Sequence, residues 1–72
     1  MTAKMLEELA KILRQYNKAV VVDIFGYEDG QTTTLNCAKC IDVLVEYTDE
    51  HDLFRNDISL TWSFDTQEWT TI

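Results

Sequence analysis

The sequence predicts an α+β fold: one N-terminal amphipathic helix packed on an antiparallel sheet of four to five strands, in a single small domain of 72 residues. Three observations carry this expectation. Apolar residues recur every three or four positions near the N-terminus and every second position farther on. The run Val20–Val22 is β-branched throughout, and turn-forming residues separate the apolar segments.

From Thr2 to Tyr16, the apolar residues Met5, Leu6, Leu9, Ala10, Ile12, Leu13 and Tyr16 share one side, and Lys4, Glu7, Glu8, Lys11 and Arg14 fill the other. Thr2 is the expected N-cap, and Asn17 with Lys18 the stop. The stretch from Ala19 to Tyr27 predicts a strand, because Val20, Val21 and Val22 fit a pleated surface better than a helix. It is apolar on both faces except at Asp23, the pattern of a central strand with a helix on at least one side. Gly26 marks a bulge or a close contact. Asp29 and Gly30 supply a turn.

Beyond that turn, Leu35, Cys37, Ile41, Val43, Val45 and Tyr47 occupy odd positions, a period of two broken at Lys39. The pattern predicts strands over Thr32–Cys37 and Cys40–Thr48, with a helix over Asn36–Tyr47 as the competing reading. Residues from Thr48 to Asn56 form a polar loop. Ile58, Leu60, Trp62 and Phe64 alternate with Ser59, Thr61 and Ser63 in the cleanest strand pattern of the chain, and Trp69–Ile72 returns as a short edge strand.

Composition narrows the function. Thirteen acidic against six basic side chains give a net charge of −7, which disfavours direct binding to nucleic acid or to an anionic membrane and favours a basic partner. At this size the core is marginal and leaves little room for an internal active-site cavity. With no apolar run long enough to span a bilayer, no signal-peptide pattern and only two cysteines, the chain reads as cytoplasmic. No nucleophile paired with a base and no phosphate loop is present, so no enzyme, catalytic residue or cofactor is expected.

Cys37 and Cys40 have the C-x-x-C spacing that suits zinc or thiol exchange. A zinc site needs two more ligands, and only His51 and neighbours such as Asp49 or Asp52 are on offer. No metal site is therefore expected, and reduced, packed thiols are the simpler reading. His51 stands among acids in Asp49-Glu50-His51-Asp52 and reads as a solvated loop residue.

Charge segregation is the most informative feature. Residues 1–18 hold four basic and two acidic side chains, whereas residues 19–72 hold two basic and eleven acidic. Period two turns Asp42, Glu46, Asp57 and Asp65 away from the apolar face. The expected partner contacts are Asp42, Glu46, Asp49, Glu50, Asp52 and Asp57, with Glu28, Asp29 and Trp69 as peripheral support. The leading reading is an acidic, non-enzymatic binding or inhibitor protein that occupies a basic, nucleic-acid-binding surface of another protein by imitating spaced backbone charges. In size and charge, though in no motif, the chain resembles phage-encoded inhibitors of host defence, inhibitors of DNA enzymes and immunity proteins against nuclease toxins. The alternatives are a homo-oligomeric structural or adaptor subunit, a homodimer for instance, assembling through an edge strand or helix face, and a small thiol or zinc protein centred on Cys37 and Cys40.

Overall fold

A computed structural model describes residues 2–71. One helix, α1 (Ala3–Leu13), precedes five strands: β1 (Asn17–Glu28), β2 (Gln31–Thr33), β3 (Cys40–Thr48), β4 (Arg55–Ser63) and β5 (Glu68–Thr71). All strand pairings are antiparallel, and the sheet order is β2-β1-β3-β4-β5. This is the helix-on-sheet α+β arrangement that the periodicities predict. Ile72, the last residue of the expected terminal strand, lies outside the described residues.

The helix starts where the sequence places it, with Thr2 Oγ1 accepting the Met5 N–H at 3.2 Å. Its inner residues Met5 and Leu9 pack onto Ile41, Val43 and Val45 of β3 and Leu60 and Trp62 of β4. Register follows from that burial: Ile41 faces Trp62, Val43 faces Leu60 and Val45 faces Ile58, so one face of both strands points at the helix. Trp69 sits opposite Trp62, with ring centroids 5.5 Å apart, and its indole N–H donates to the Met5 carbonyl at 3.0 Å. Helix α1 therefore lies over β3, β4 and β5.

Three expectations are corrected. β1 is not the central strand; β3 is, and the helix does not extend over β1. Val21 and Ile24, on the helix side of β1, remain 37% and 39% exposed, and Val20 on the other side is 60% exposed. The second correction concerns Leu35 and Cys37, which are not in a strand. After three residues of β2 the chain leaves the sheet in a 3-10 turn, Leu35–Cys37, and re-enters as β3 on the other side of β1. A strand, not the competing helix, follows from Cys40 onward. The third correction is that β4 begins at Arg55, so Arg55 and Asn56 belong to the strand and not to the loop, while Asp65 lies in the turn beyond Ser63.

The connections are specified locally. Asp29 and Gly30 both have positive φ, 51° and 81°, as a two-residue hairpin between right-twisted strands requires. Gly26 is buried under the 3-10 crossing. A Cβ there would stand 2.9 Å from the Ala38 Cβ and 3.0 Å from the Thr33 carbonyl oxygen, so the glycine marks a close approach.

Candidate functional site

The helix covers one face of the sheet and leaves the other open. Because side chains alternate along a strand, the open face receives the partners of the buried set: Cys40, Asp42, Leu44, Glu46 and Thr48 from β3, and Arg55, Asp57, Ser59, Thr61 and Ser63 from β4. Asp42, Glu46 and Asp57 thus share this face, as the alternation predicts. Asp42 stands beside Thr61, whose hydroxyl donates to its carboxylate at 2.7 Å. Glu46 and Asp57 are direct cross-strand partners.

Two further acids join them that the sequence reading did not select. Asp23 of β1 pairs with Leu44, and Glu68 of β5 with Ser63, both on the open face. Asp23 is out of step with simple alternation because the register slips between Val21 and Asp23, a bulge invisible in the sequence. Glu68 takes the open face because it precedes Trp69, which faces the helix. Two cations dilute the acidity at one end: Arg55 Nη1 lies 3.6 Å from Glu46, and Lys18 lines the same shallow cleft with Val20, Thr48 and Arg55.

The other predicted contacts lie at the two ends of the sheet. Asp49, Glu50 and Asp52 belong to the β3–β4 loop, where two of the three shape the chain. The Asp49 carboxylate accepts the backbone N–H groups of Leu53 at 2.7 Å and Phe54 at 3.3 Å. The Asp52 carboxylate accepts from Lys18 at 2.9 Å, from the Asn17 side-chain amide at 2.7 Å and from the Thr48 hydroxyl at 3.1 Å. These donors, Lys18 foremost, hold the Asp52 pKa below its ordinary value of 3.8. Glu50 is solvated, 3.6 Å from His51.

Glu28 and Asp29 occupy the β1–β2 hairpin at the opposite end. Asp29 accepts from Lys39 at 3.3 Å, and this bond, together with the charges of Asp29, Glu28 and Asp65, raises the Lys39 pKa above 10.5. Trp69 is not with the acids: it faces the helix, half-buried against Trp62. Its ring packs within the fold, apart from the open-face acids.

The thiols do not meet the other candidate metal ligands. Cys37 ends the 3-10 turn and Cys40 opens β3, next to Tyr27 and Ser63, while His51, Asp49 and Asp52 follow the far end of β3. Nine residues of strand, roughly 30 Å at the usual rise, separate the two groups, so the zinc set sketched from sequence is not assembled. Both cysteines are free thiols. No helix among the described residues is long and apolar enough to cross a membrane. No protein-family model, curated protein or solved structure matches the chain.

Proposed function

We propose that this chain is a non-enzymatic binding protein whose open sheet face receives a basic surface of another protein, of the kind that ordinarily holds nucleic acid. One observation carries the reading: Asp42, Glu46 and Asp57 lie on adjacent strands of a sheet face that no element among the described residues covers. Neighbouring strands are about 4.8 Å apart, and alternate residues along a strand about 6.7 Å. The backbone therefore fixes these carboxylates in a spaced array, flanked by Asp23 and Glu68. Acids spaced on neighbouring strands steer encounter over several ångströms of solvent, and Asp42, held by the Thr61 hydroxyl, loses little side-chain entropy on docking. The hydroxyls of Ser59, Thr61 and Thr70 between the acids offer further acceptors to Lys and Arg. Such a protein acts as an inhibitor by occupation, in the cytoplasm, and needs no cofactor.

The test is capture from lysate at low salt on immobilised protein, followed by elution with duplex DNA. Release by DNA of a nucleic-acid-binding protein, and its loss from the triple variant Asp42→Asn, Glu46→Gln, Asp57→Asn, is the expected result. Capture that the triple variant retains, or that DNA does not compete, would overturn the reading.

A further inference from the structure

Five of the large apolar residues left exposed in this small protein lie in one six-residue stretch of β1: Val20, Val21, Val22, Ile24 and Phe25. The same stretch has a free backbone edge. β1 runs from Asn17 to Glu28, but β2 pairs only with Gly26, Tyr27 and Glu28. On the side away from β3, residues from Lys18 to Phe25 meet no strand among the described residues. The Ile24 N–H is hydrogen-bonded by the carboxylate of its own neighbour, Asp23, at 2.9 Å, where a strand would otherwise supply a carbonyl. Natural edges are usually shortened or carry proline or several charges. This one is eight residues long, has no proline and carries only Lys18 and Asp23; its irregularities are the register shifts between Asn17 and Val20 and between Val21 and Asp23.

We infer that this edge pairs with the same edge of a second copy, joining two five-stranded sheets into one across a two-fold axis. Symmetry and the limits of the free segment fix the arrangement. A two-fold perpendicular to the sheet makes the two β1 strands antiparallel, and the centre of the free segment falls between Val21 and Val22. With the axis near that centre, the Ala19 end of each segment meets the Ile24 end of the other, and Val21 and Val22 of both copies lie about the axis. Each β2 then ends where the other copy's β1 begins, so the hairpins do not collide.

Charge selects the occupant. Lys18 and Asp23 are the segment's only charges and lie on either side of that centre, so antiparallel pairing brings no like charges face to face: Asp23 of each copy comes opposite an apolar stretch of the other, and Lys18 stays paired with Asp52 of its own chain at 2.9 Å. The segment is electrically neutral in a chain of charge −7. It is therefore a poor match for the basic surface that the open-face acids attract and a good match for itself. Most of the acids lie on β3, β4 and the loops, away from the axis, where physiological salt screens their repulsion over about 8 Å.

Sedimentation equilibrium in physiological salt is the test, with a monomer mass of 8.4 kDa. Twice that mass is expected for the native chain and the monomer mass for Val22→Lys, which sets like charges at the axis. Thr70→Lys, on the opposite edge strand β5, should remain dimeric. Hydrogen exchange on the native chain keeps the test decisive if Val22→Lys fails to fold. Amides of the Val20–Phe25 stretch that face the free edge should slow on the order of tenfold between dilute and concentrated protein. A monomer at every concentration, exchange in this stretch that ignores concentration, or a dimer that survives Val22→Lys and is lost with Thr70→Lys, would overturn the inference. None of these measurements touches Asp42, Glu46 or Asp57, so its failure and that of the open-face reading are separately visible.

Discussion

Glu46 on β3 and Asp57 on β4 stand directly opposite each other on the uncovered face of the sheet, two like charges at a position where sheets gain from opposite ones. Arg55, two residues before Asp57, approaches Glu46 to 3.6 Å and relieves part of the repulsion. A cross-strand pair of this sign costs a few tenths of a kcal/mol and is easily removed by one substitution. Its presence is understandable if the acids serve contact with a partner.

Asp57→Lys converts the repulsive pair into an attractive one. Equilibrium urea unfolding should show the variant about 0.2–1 kcal/mol more stable than the native chain, while capture of the basic partner weakens. A variant that is both less stable and unimpaired in capture would remove Asp57 from the proposed face.

Gly26→Ala tests the close approach beneath the 3-10 crossing. The added methyl would meet the Ala38 Cβ and the backbone oxygens of Thr33 and Thr34 at 2.9–3.2 Å. None of these is the free end of a flexible side chain, so the crossing must move. A loss of about 1–3 kcal/mol is expected from overpacking of this kind, read as a lower urea midpoint with an unchanged slope. An unchanged midpoint would mean that the crossing is loosely held.

Asp52 gives the loop a pH dependence. Its donors Lys18, Asn17 and Thr48 favour the carboxylate, so its pKa is lower in the folded than in the unfolded chain. The unfolded state therefore binds the proton first as pH falls. The contribution is fully present above the ordinary value near 3.8 and is lost as pH drops through the depressed folded value. Thermal unfolding followed between about pH 6 and pH 2 should fall less steeply for Asp52→Asn than for the native chain. Parallel curves would show that the network does not discriminate between the two protonation states.

Much of the fold is legible because burial is one-sided where the pattern is clear. Met5 and Leu9 lie on one stripe of the helix, and Ile41, Val43, Val45, Leu60 and Trp62 keep strict alternation, so periodicity identifies both the elements and the face that the helix covers. The same alternation places Asp42, Glu46 and Asp57 on the open face. Leu35 and Cys37 mislead because their odd positions continue the parity of β3 although the chain has left the sheet. Period two reports alternation, not hydrogen bonding. The place of β1 was hidden for another reason: a strand apolar on both sides reads alike whether its own fold or another surface covers it. The contribution of Asp52 to loop structure depends on Asn17 and Lys18, more than thirty residues away, which no local pattern reveals.

Trp69 separates packing from binding. An aromatic side chain near carboxylates is a common interface anchor, yet here the ring packs beneath the helix, on Trp62, and its N–H holds the Met5 carbonyl. Trp69→Phe keeps an aromatic partner for Trp62 and removes the hydrogen bond, at a cost of about 0.5–1.5 kcal/mol. Trp69→Ala also empties the space under α1 and should cost about 3–5 kcal/mol, enough to unfold a large share of a marginal domain. Capture of a basic partner by folded Trp69→Phe should equal that of the native chain at the same salt. A drop in capture without loss of the folded signal would return Trp69 to the interface and require the helix side of the sheet, not the open face, to meet the partner.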